Sequence, residues 1–143
     1  MAESVDTGFL RTLVGYNTRR ALLVIGEDFM AQMAPYGLKM VDFSVLSLVA
    51  RNPGVTSRQL CATLSVLPPN LVGLVASLER RALIERRAHP SDRRATGLHP
   101  TAEGLALVAQ AEKTAAQLEE RATAQLTAAE RRTLIRLLQK VYD

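Results

Sequence analysis

Residues 55–104 read VTSRQLCATLSVLPPNLVGLVASLERRALIERRAHPSDRRATGLHPTAEG, and this stretch decides the fold. Thr56 and Gln59 have the spacing of a capping box, which predicts a helix over residues 57–64. After a turn that contains two prolines, apolar residues recur at helical spacing over residues 70–80, which predicts a second helix. Two helices joined by a short turn are typical of a helix-turn-helix, whose second helix enters the major groove of B-DNA.

Two strand-like runs, at residues 83–88 and 95–99, follow the second helix. They flank the loop 89–94, which contains two adjacent arginines. This order predicts a β-hairpin, and arginine side chains suit the narrow minor groove that adjoins the major groove. The whole stretch therefore predicts a protein that binds double-stranded DNA.

The composition limits the class of protein. The chain has 143 residues, of which 48% are apolar, and a single cysteine, Cys61. That length suits one domain, and the apolar fraction excludes wholesale disorder. Apolar runs are far shorter than the ~20 residues that cross a bilayer, and no signal peptide is evident, so we expect a cytoplasmic protein without a membrane partner. A lone cysteine forms no internal disulfide, which fits a reducing compartment.

The net charge of +4 is unevenly distributed along the chain. Residues 57–100 contain seven basic and three acidic residues, whereas the rest of the chain contains eleven of each. The excess therefore lies in the predicted helix-turn-helix and hairpin, where every basic residue is an arginine, whose planar fork suits phosphates and groove edges. A solvated surface hairpin would also be charged, so the charge alone favours nucleic acid only modestly.

Helical spacing of apolar residues predicts four further helices, the first of them capped by Asp6 or Thr7 and the last by a capping box of Thr127 and Glu130. They cover residues 7–34, 41–51, 101–124 and 127–142. The terminal helices have more apolar surface than one chain can bury, which predicts a second copy of the protein. A two-fold dimer places two recognition helices about 34 Å apart, the spacing that suits a palindromic site.

Three segments carry a resemblance to a known family. Asp92-x-Arg94 followed by residues 98–104 (LHPTAEG) is similar to the wing signature of the MarR family of transcriptional regulators. Residues 68–72 (PPNLV) and 78–84 (LERRALI) resemble the recognition helix of that family and the strand after it. The order of elements extends the resemblance over nearly the whole chain.

The resemblance implies a mainly α fold, a winged helix-turn-helix with a small β-hairpin wing and long N- and C-terminal helices that form a dimerisation region. We assign residues 1–40 and 101–143 to that region and residues 41–100 to the DNA-binding lobe. It also implies a homodimeric repressor that leaves a pseudo-palindromic operator when a small molecule binds.

Carried over by position, Arg94 is the minor-groove residue and Asp92 the carboxylate that holds it in place; the alternative is an ion pair in the hairpin with no role on DNA. An arginine that is already paired loses fewer side-chain rotations on binding. The residues expected to contact DNA are Arg58, Pro68, Pro69, Asn70, Gly73, Ser77, Arg87, Asp92, Arg93 and Arg94.

The recognition helix departs from the family, which usually offers hydroxyls and an arginine to the bases. Here only Asn70 can form a hydrogen-bonded base contact, while Leu67 or Val72 can touch a thymine methyl. We therefore expect modest direct readout, an A·T-leaning site and much of the affinity from phosphates and DNA shape. The alternative is that Asn70 satisfies backbone groups near the helix start.

An effector site is implied where the dimerisation helices meet the DNA-binding lobe, because family members bind phenolic or other aromatic carboxylates there. Methionine adapts to irregular ligands, and an arginine or a tyrosine hydroxyl can fix a carboxylate. The candidates are Tyr16, Arg20, Met30, Met33, Tyr36, Met40 and Phe43. The competing interpretation is that these side chains, at helical spacing, belong to the core.

Two other functions stay open from the sequence. Cys61 would serve a thiol-based redox-sensing repressor, although its position beside Leu60 favours a small core residue. The apolar recognition helix would also suit a ligand- or partner-binding dimer with weakened DNA recognition. His89, Ser91 and Asp92 lie too close together for a catalytic triad, and no metal-ligand spacing is present, so we expect no enzyme, metal or cofactor.

Overall fold

The computed structural model describes residues 4–92 and 94–143, which are mostly helical. Their elements are, in order, α1 (Val14–Met33), α2 (Met40–Arg51), β1 (Val55–Thr56), α3 (Ser57–Leu64), α4 (Pro68–Arg80), β2 (Ile84–Ala88), β3 (Thr96–Pro100), α5 (Ala102–Ala122) and α6 (Ala128–Tyr142). The predicted mainly α, winged helix-turn-helix fold is confirmed. Arg93, which the sequence analysis assigned to the DNA interface, lies outside the described residues.

Local signals set the ends of the two helices of the helix-turn-helix. The Thr56 hydroxyl accepts the backbone N–H of Gln59 at 3.2 Å, and Gln59 Oε1 accepts that of Thr56 at 2.9 Å, which confirms the capping box. Ser65 ends α3 with φ 52°, a left-handed conformation, and α4 then opens on Pro68. Because these signals act within a few residues, the predicted helices match the observed ones closely.

The wing is an antiparallel pair, β2 and β3, in which Ile84 lies opposite Pro100. The short strand β1, which the sequence analysis did not predict, pairs with the other edge of β3. A Cβ on Gly97 of β3 would lie 3.1 Å from the backbone of Gly54, so a glycine allows the chain before β1 to approach the sheet. A two-residue strand has no period-two pattern, which is why the sequence did not reveal it.

The first helix starts later than predicted. Leu13 has an extended backbone (φ −94°, ψ 129°), and α1 begins at Val14 rather than just after Asp6 or Thr7. The Asp6 carboxylate accepts the backbone N–H of Gly8 at 2.8 Å, so it stabilises a local turn instead of capping a helix.

The core lies between α1, α2, α3, α4, α5 and the sheet, and its members come from residues 29–118. The most deeply buried side chains are Met33, Val45, Leu46, Val49, Leu60, Leu71, Val75, Leu78, Leu98 and Leu118. The apolar stripe predicted for the recognition helix is therefore the face that α4 turns inward. Its opposite face is left to solvent or to a partner.

Apolar side chains remain uncovered on the terminal helices. None of the side chains of α6 is buried, and its exposed apolar residues are Leu134, Ile135, Leu137, Leu138, Val141 and Tyr142. On α1 the exposed set is Val14, Leu22, Leu23, Val24 and Met30. Among the described residues no single helix is long and apolar enough to span a membrane, and two bent helix pairs pass that test only when taken together.

The second predicted capping box, at the start of α6, is also confirmed. The Thr127 hydroxyl accepts the backbone N–H of Glu130 at 3.1 Å, and Glu130 Oε1 accepts that of Thr127 at 2.9 Å. Hydrogen bonds from the backbone and then the side chain of Thr127 lower the pKa of the Glu130 carboxyl. The ionised carboxylate therefore supports the helix start, and this support is lost as the pH falls through the lowered pKa.

The start of α5 is fixed on the turn between α4 and β2. The Thr101 hydroxyl accepts the backbone N–H of Gly104 at 3.0 Å and donates to the carbonyl of Ala82 at 2.6 Å. The backbone N–H of Thr101 donates to the carbonyl of Leu83 at 3.1 Å. A Cβ on Gly104 would lie 2.0 Å from that same carbonyl oxygen, so only glycine permits the contact.

Gly104→Ala is expected to lower the free energy of unfolding by about 1–3 kcal/mol or more, because the backbone of the turn must move to admit the methyl group. Gly73→Ala is the matched control: no heavy atom lies within 4 Å of a Cβ at this exposed helical position. It should raise the free energy of unfolding by roughly 0.5–1 kcal/mol. Urea unfolding at one fixed protein concentration measures both, and equal stabilities would contradict the packing described here.

Candidate nucleic-acid interface and effector cleft

The outward face of the first half of α4 is unusually apolar. Its exposed residues, with the N-cap, are Leu67, Pro68, Pro69, Asn70, Val72 and Gly73. Leu67 and Val72 expose 69% and 63% of their surface. None of the described residues accepts a hydrogen bond from the Asn70 side chain, so the amide is not engaged by backbone groups near the helix start and is available to a ligand or a base edge.

Several exposed arginines of the lobe have no carboxylate partner among the described residues. Arg58 on α3, Arg80 at the end of α4 and Arg94 at the wing tip are exposed, and none has a carboxylate partner within the described part of the chain. By contrast, Arg86 is paired with Glu79 at 2.7 Å. The free guanidinium groups give this side of the lobe a positive potential that suits phosphates.

Two of the predicted DNA-contacting residues have a different setting from the rest. Arg87 is paired with Glu85, with 2.9 Å between Nε and Oε1, so it meets DNA only by leaving that carboxylate. Ser77 is half-buried in the middle of α4, whereas the other described members of the set are exposed.

The wing tip is held by its aspartate through the main chain. Asp92 Oδ1 accepts the backbone N–H of Arg94 at 2.9 Å, and the backbone N–H of Ala95 donates to the Asp92 carbonyl at 3.2 Å. No ion pair joins the Asp92 carboxylate to the Arg94 guanidinium within residues 4–92 and 94–143, which corrects the side-chain brace that the resemblance implied. The short aspartate side chain reaches the N–H two residues ahead, while the long arginine side chain extends into solvent.

Arg81, directly after α4, contacts the chain between α1 and α2. Its guanidinium donates to the backbone carbonyls of Tyr36 at 2.6 Å and Gly37 at 3.0 Å. These carbonyls belong to the connection between α1 and α2. Arg81 is therefore a structural contact between the end of α4 and that connection.

A cleft of about 1170 Å³ separates α1 from the first half of α4. Its apolar lining is Leu22, Leu23, Gly26, Met30, Met40, Val41, Val66, Leu67 and Leu74, and its polar lining is Glu27, Lys39, Asp42, Ser65 and Asn70. Such a mainly apolar space with a few polar groups is typical of a small-molecule site. Leu67 and Asn70 belong both to this cleft and to the outward face of α4.

Of the seven residues predicted to bind an effector, Met30 and Met40 line the cleft. Tyr16 and Arg20 lie on α1 nearer the N-terminus than the part of the helix that lines it, which begins at Leu22. They are not brought together with the two methionines within one chain.

The other three predicted effector residues make contacts elsewhere. Met33 is fully buried in the core, and Phe43 packs edge-to-face on Phe29, with ring centroids 5.6 Å apart. The Tyr36 hydroxyl lies 2.8 Å from Thr114 Oγ1 on α5. The competing core interpretation therefore describes Met33 and Phe43, because Met and Phe at helical spacing are core residues more often than ligand contacts.

The lone thiol and the metal-binding residue types do not form a second site. Cys61 is half-buried on α3 and packs against the core, where it is a small apolar side chain. Among the described residues no group of three or more His, Cys, Asp and Glu side chains lies close enough to hold a metal ion.

Comparison with known proteins places the chain among regulators. Residues 36–95 match the family model of the MarR family. A putative transcriptional regulatory protein for the hcr operon of Thauera aromatica is 31% identical over 143 residues, covering 99% of this chain and 86% of that relative.

Two solved structures of the transcriptional repressor CouR are similar to this fold. In complex with a 23-mer DNA duplex it superposes with a TM-score of 0.91 at 37% identity, covering 99% of this chain and 100% of CouR. Bound to p-coumaroyl-CoA, CouR superposes with a TM-score of 0.85 at 35% identity, covering 96% of this chain and 97% of that chain. A MarR-family protein of Mycobacterium tuberculosis, in complex with p-aminosalicylic acid, superposes with a TM-score of 0.73 at 29% identity. The match covers 92% of this chain and 99% of that chain.

The main-chain role of Asp92 predicts different behaviour for two substitutions. Asp92→Ala removes the acceptor and should speed hydrogen exchange of the Arg94 amide about fivefold, the equivalent of one hydrogen bond of roughly 1 kcal/mol. Asp92→Asn keeps an oxygen at the same position and should leave the exchange rate close to that of the unchanged protein. Amide exchange followed by NMR compares the two, and equally fast exchange in both variants would show that the charge, not the acceptor, is what matters.

Proposed function

The chain belongs to the MarR family of transcriptional regulators, and we propose that it is a homodimeric repressor that leaves its operator when a small molecule fills the cleft beside α4. The observation that carries the proposal is the exposed outward face of α4, in a lobe where Arg58 and Arg94 are exposed and have no carboxylate partner among the described residues. A helix exposed in this way on a lobe with free cations suits a DNA groove bounded by phosphate chains. Acting on chromosomal DNA, the protein would work in the cytoplasm.

A homodimer follows from the uncovered apolar surface of the terminal helices. α6 buries none of its side chains, and α1 leaves Val14 and Val24, which do not line the cleft, exposed. In a two-fold dimer, the same helices of a second copy would cover these faces. The apolar side chains of α1 and α6 would then be removed from water together. We therefore retain residues 1–40 and 101–143 as the dimerisation region and residues 41–100 as the DNA-binding lobe.

On DNA, the proposed contacts divide by type. Asn70 faces a base edge, with Leu67 and Val72 available to thymine methyl groups, and Arg94 enters the minor groove. Asp92 holds the wing tip that presents Arg94. The remaining members of the predicted set position the lobe on the backbone: Arg58, Pro68, Pro69, Gly73, Ser77, Arg87 and Arg93. Because α4 has few polar groups on its outward face, we expect modest direct readout of the bases. Phosphate contacts and DNA shape would then supply a large share of the affinity.

The proposed effector is an aromatic acid carried on a larger group, such as an aromatic acyl-CoA thioester. Two facts support this choice: the similar repressor CouR is bound to p-coumaroyl-CoA, and the cleft of about 1170 Å³ is larger than a single-ring acid fills. Apolar side chains of α1 would hold the ring, and Lys39, the cation of the cleft lining, would attract the anionic part.

DNA binding is tested by fluorescence anisotropy with the intergenic duplex upstream of the gene and a scrambled duplex, over a salt series. Arg94→Ala should weaken binding to the upstream duplex by about 1–3 kcal/mol, roughly fivefold to 150-fold, because it removes a groove contact. Lys113→Ala is the control, since it removes an exposed cation from α5, away from the lobe. Equal, steeply salt-dependent affinity for both duplexes would mean that only phosphates are recognised at that site.

Effector action is tested on the same complex by titration with p-coumaroyl-CoA, p-coumarate and salicylate. We expect the thioester to release DNA at the lowest concentration, because it fills more of the cleft. Met30→Trp fills the cleft and should raise the concentration needed for release at least tenfold, whereas Ala31→Trp, an exposed neighbour outside the cleft lining, should not. Release by all three compounds at one concentration would contradict the size argument.

A further inference from the structure

We infer that Arg81 is a positioning residue for operator recognition. Through its contact with Tyr36, Arg81 sets the direction of α4 relative to the dimerisation helix α5. Four residues make this connection and form the Arg81 strut: Arg81, Tyr36, Gly37 and Thr114. The inference rests on the proposed function, because it concerns how two recognition helices are spaced in a dimer. It goes beyond that function in assigning the spacing to named contacts far from the DNA face.

The first link of the strut joins the end of α4 to the connection between α1 and α2. The backbone N–H of Arg81 donates to the Ser77 carbonyl at 3.2 Å, so the helix remains regular up to this residue. Its side chain leaves the helix, and the two terminal nitrogens donate to adjacent carbonyls, of Tyr36 at 2.6 Å and Gly37 at 3.0 Å. Two parallel hydrogen bonds from one planar fork fix direction as well as distance.

The connection is shaped to receive a guanidinium group. Gly37 has φ 63°, in the left-handed region, and ends the 3-10 turn Ala34–Tyr36. A Cβ at this position would lie 3.3 Å from a terminal nitrogen of Arg81, so a side chain here would press on the arginine. Glycine thus serves both the turn and the close approach of the arginine.

The second link joins the same turn to α5. The Tyr36 hydroxyl lies 2.8 Å from Thr114 Oγ1, in a part-buried position. Tyr36 therefore contacts Arg81 through its carbonyl and α5 through its hydroxyl. A continuous path of short contacts leads from Arg81, the residue that follows α4, to the helix assigned to the dimerisation region.

Fixing this end of α4 has a large effect at the other end. A helix of 13 residues is roughly 20 Å long at about 1.5 Å per residue. A rotation of about 10° around the fixed end would move the N-terminal residues by roughly 3 Å, close to the ~3.4 Å between successive nucleotides of one strand. The N-terminal end borders the open cleft at Leu67 and Asn70. At the opposite end, the strut adds a directional restraint to the core packing of α4.

The test uses the duplex that the unchanged protein selects from a randomised pool, and the same duplex with one base pair inserted between the half-sites. Tyr36→Phe removes only the hydroxyl, Thr114→Val removes its partner, and Arg81→Gln removes the fork. The ratio of affinities for the two spacings should fall about tenfold in Arg81→Gln, and less in the other two, as expected for the loss of a charged hydrogen bond. Anisotropy titrations measure the ratio.

Arg86→Gln is the matched control, because it breaks an arginine contact, to Glu79, on the outside of the lobe. A lost phosphate contact or a general loss of stability lowers both affinities together and leaves the spacing ratio unchanged. If the unchanged protein prefers one spacing and Arg81→Gln and Tyr36→Phe keep that preference in full, the strut does not position α4. If the unchanged protein shows no preference, the proposed function fails and the inference fails with it.

Discussion

The close approach of α5 to the turn before the wing is the contact on which the arrangement of the lobe depends. Gly104 lets the helix start lie against the Leu83 carbonyl, and Thr101 fastens it there with hydrogen bonds. Further along α5, Glu112 accepts hydrogen bonds from Ser47 at 2.9 Å and Arg51 at 2.5 Å. The wing and α2 are thus both attached to α5.

The charge distribution explains how an apolar recognition helix suits DNA. Glu79 and Glu85 neutralise the two arginines of β2, so the free positive charge is concentrated at Arg58, Arg80 and Arg94. None of these three arginines belongs to the apolar outward face of the first half of α4. In the proposed function, phosphate contacts supply most of the affinity and orient a helix whose own contribution to specificity is small, so binding should depend steeply on salt.

The position of the cleft gives the proposed release mechanism a short physical path. Leu67 and Asn70 line the cleft and also belong to the outward face of α4, so a ligand and a base pair would compete for the same two side chains. A coupling between effector and operator then needs only a displacement at one end of a helix, while the other end is tied to the connection between α1 and α2 by Arg81.

The sequence by itself determined the order and ends of most helices and the place of the wing, because caps such as Thr56 with Gln59 act within one turn. It also located the arginine excess, and two of its effector candidates, Met30 and Met40, line the cleft. Only the tertiary structure decided which side chains share the cleft, where Arg81 points and that Met33 is core, since these depend on contacts between segments distant in the chain. A periodic pattern predicts that one face of a helix is buried. The segment that packs against that face decides whether its side chains contact the core or a ligand.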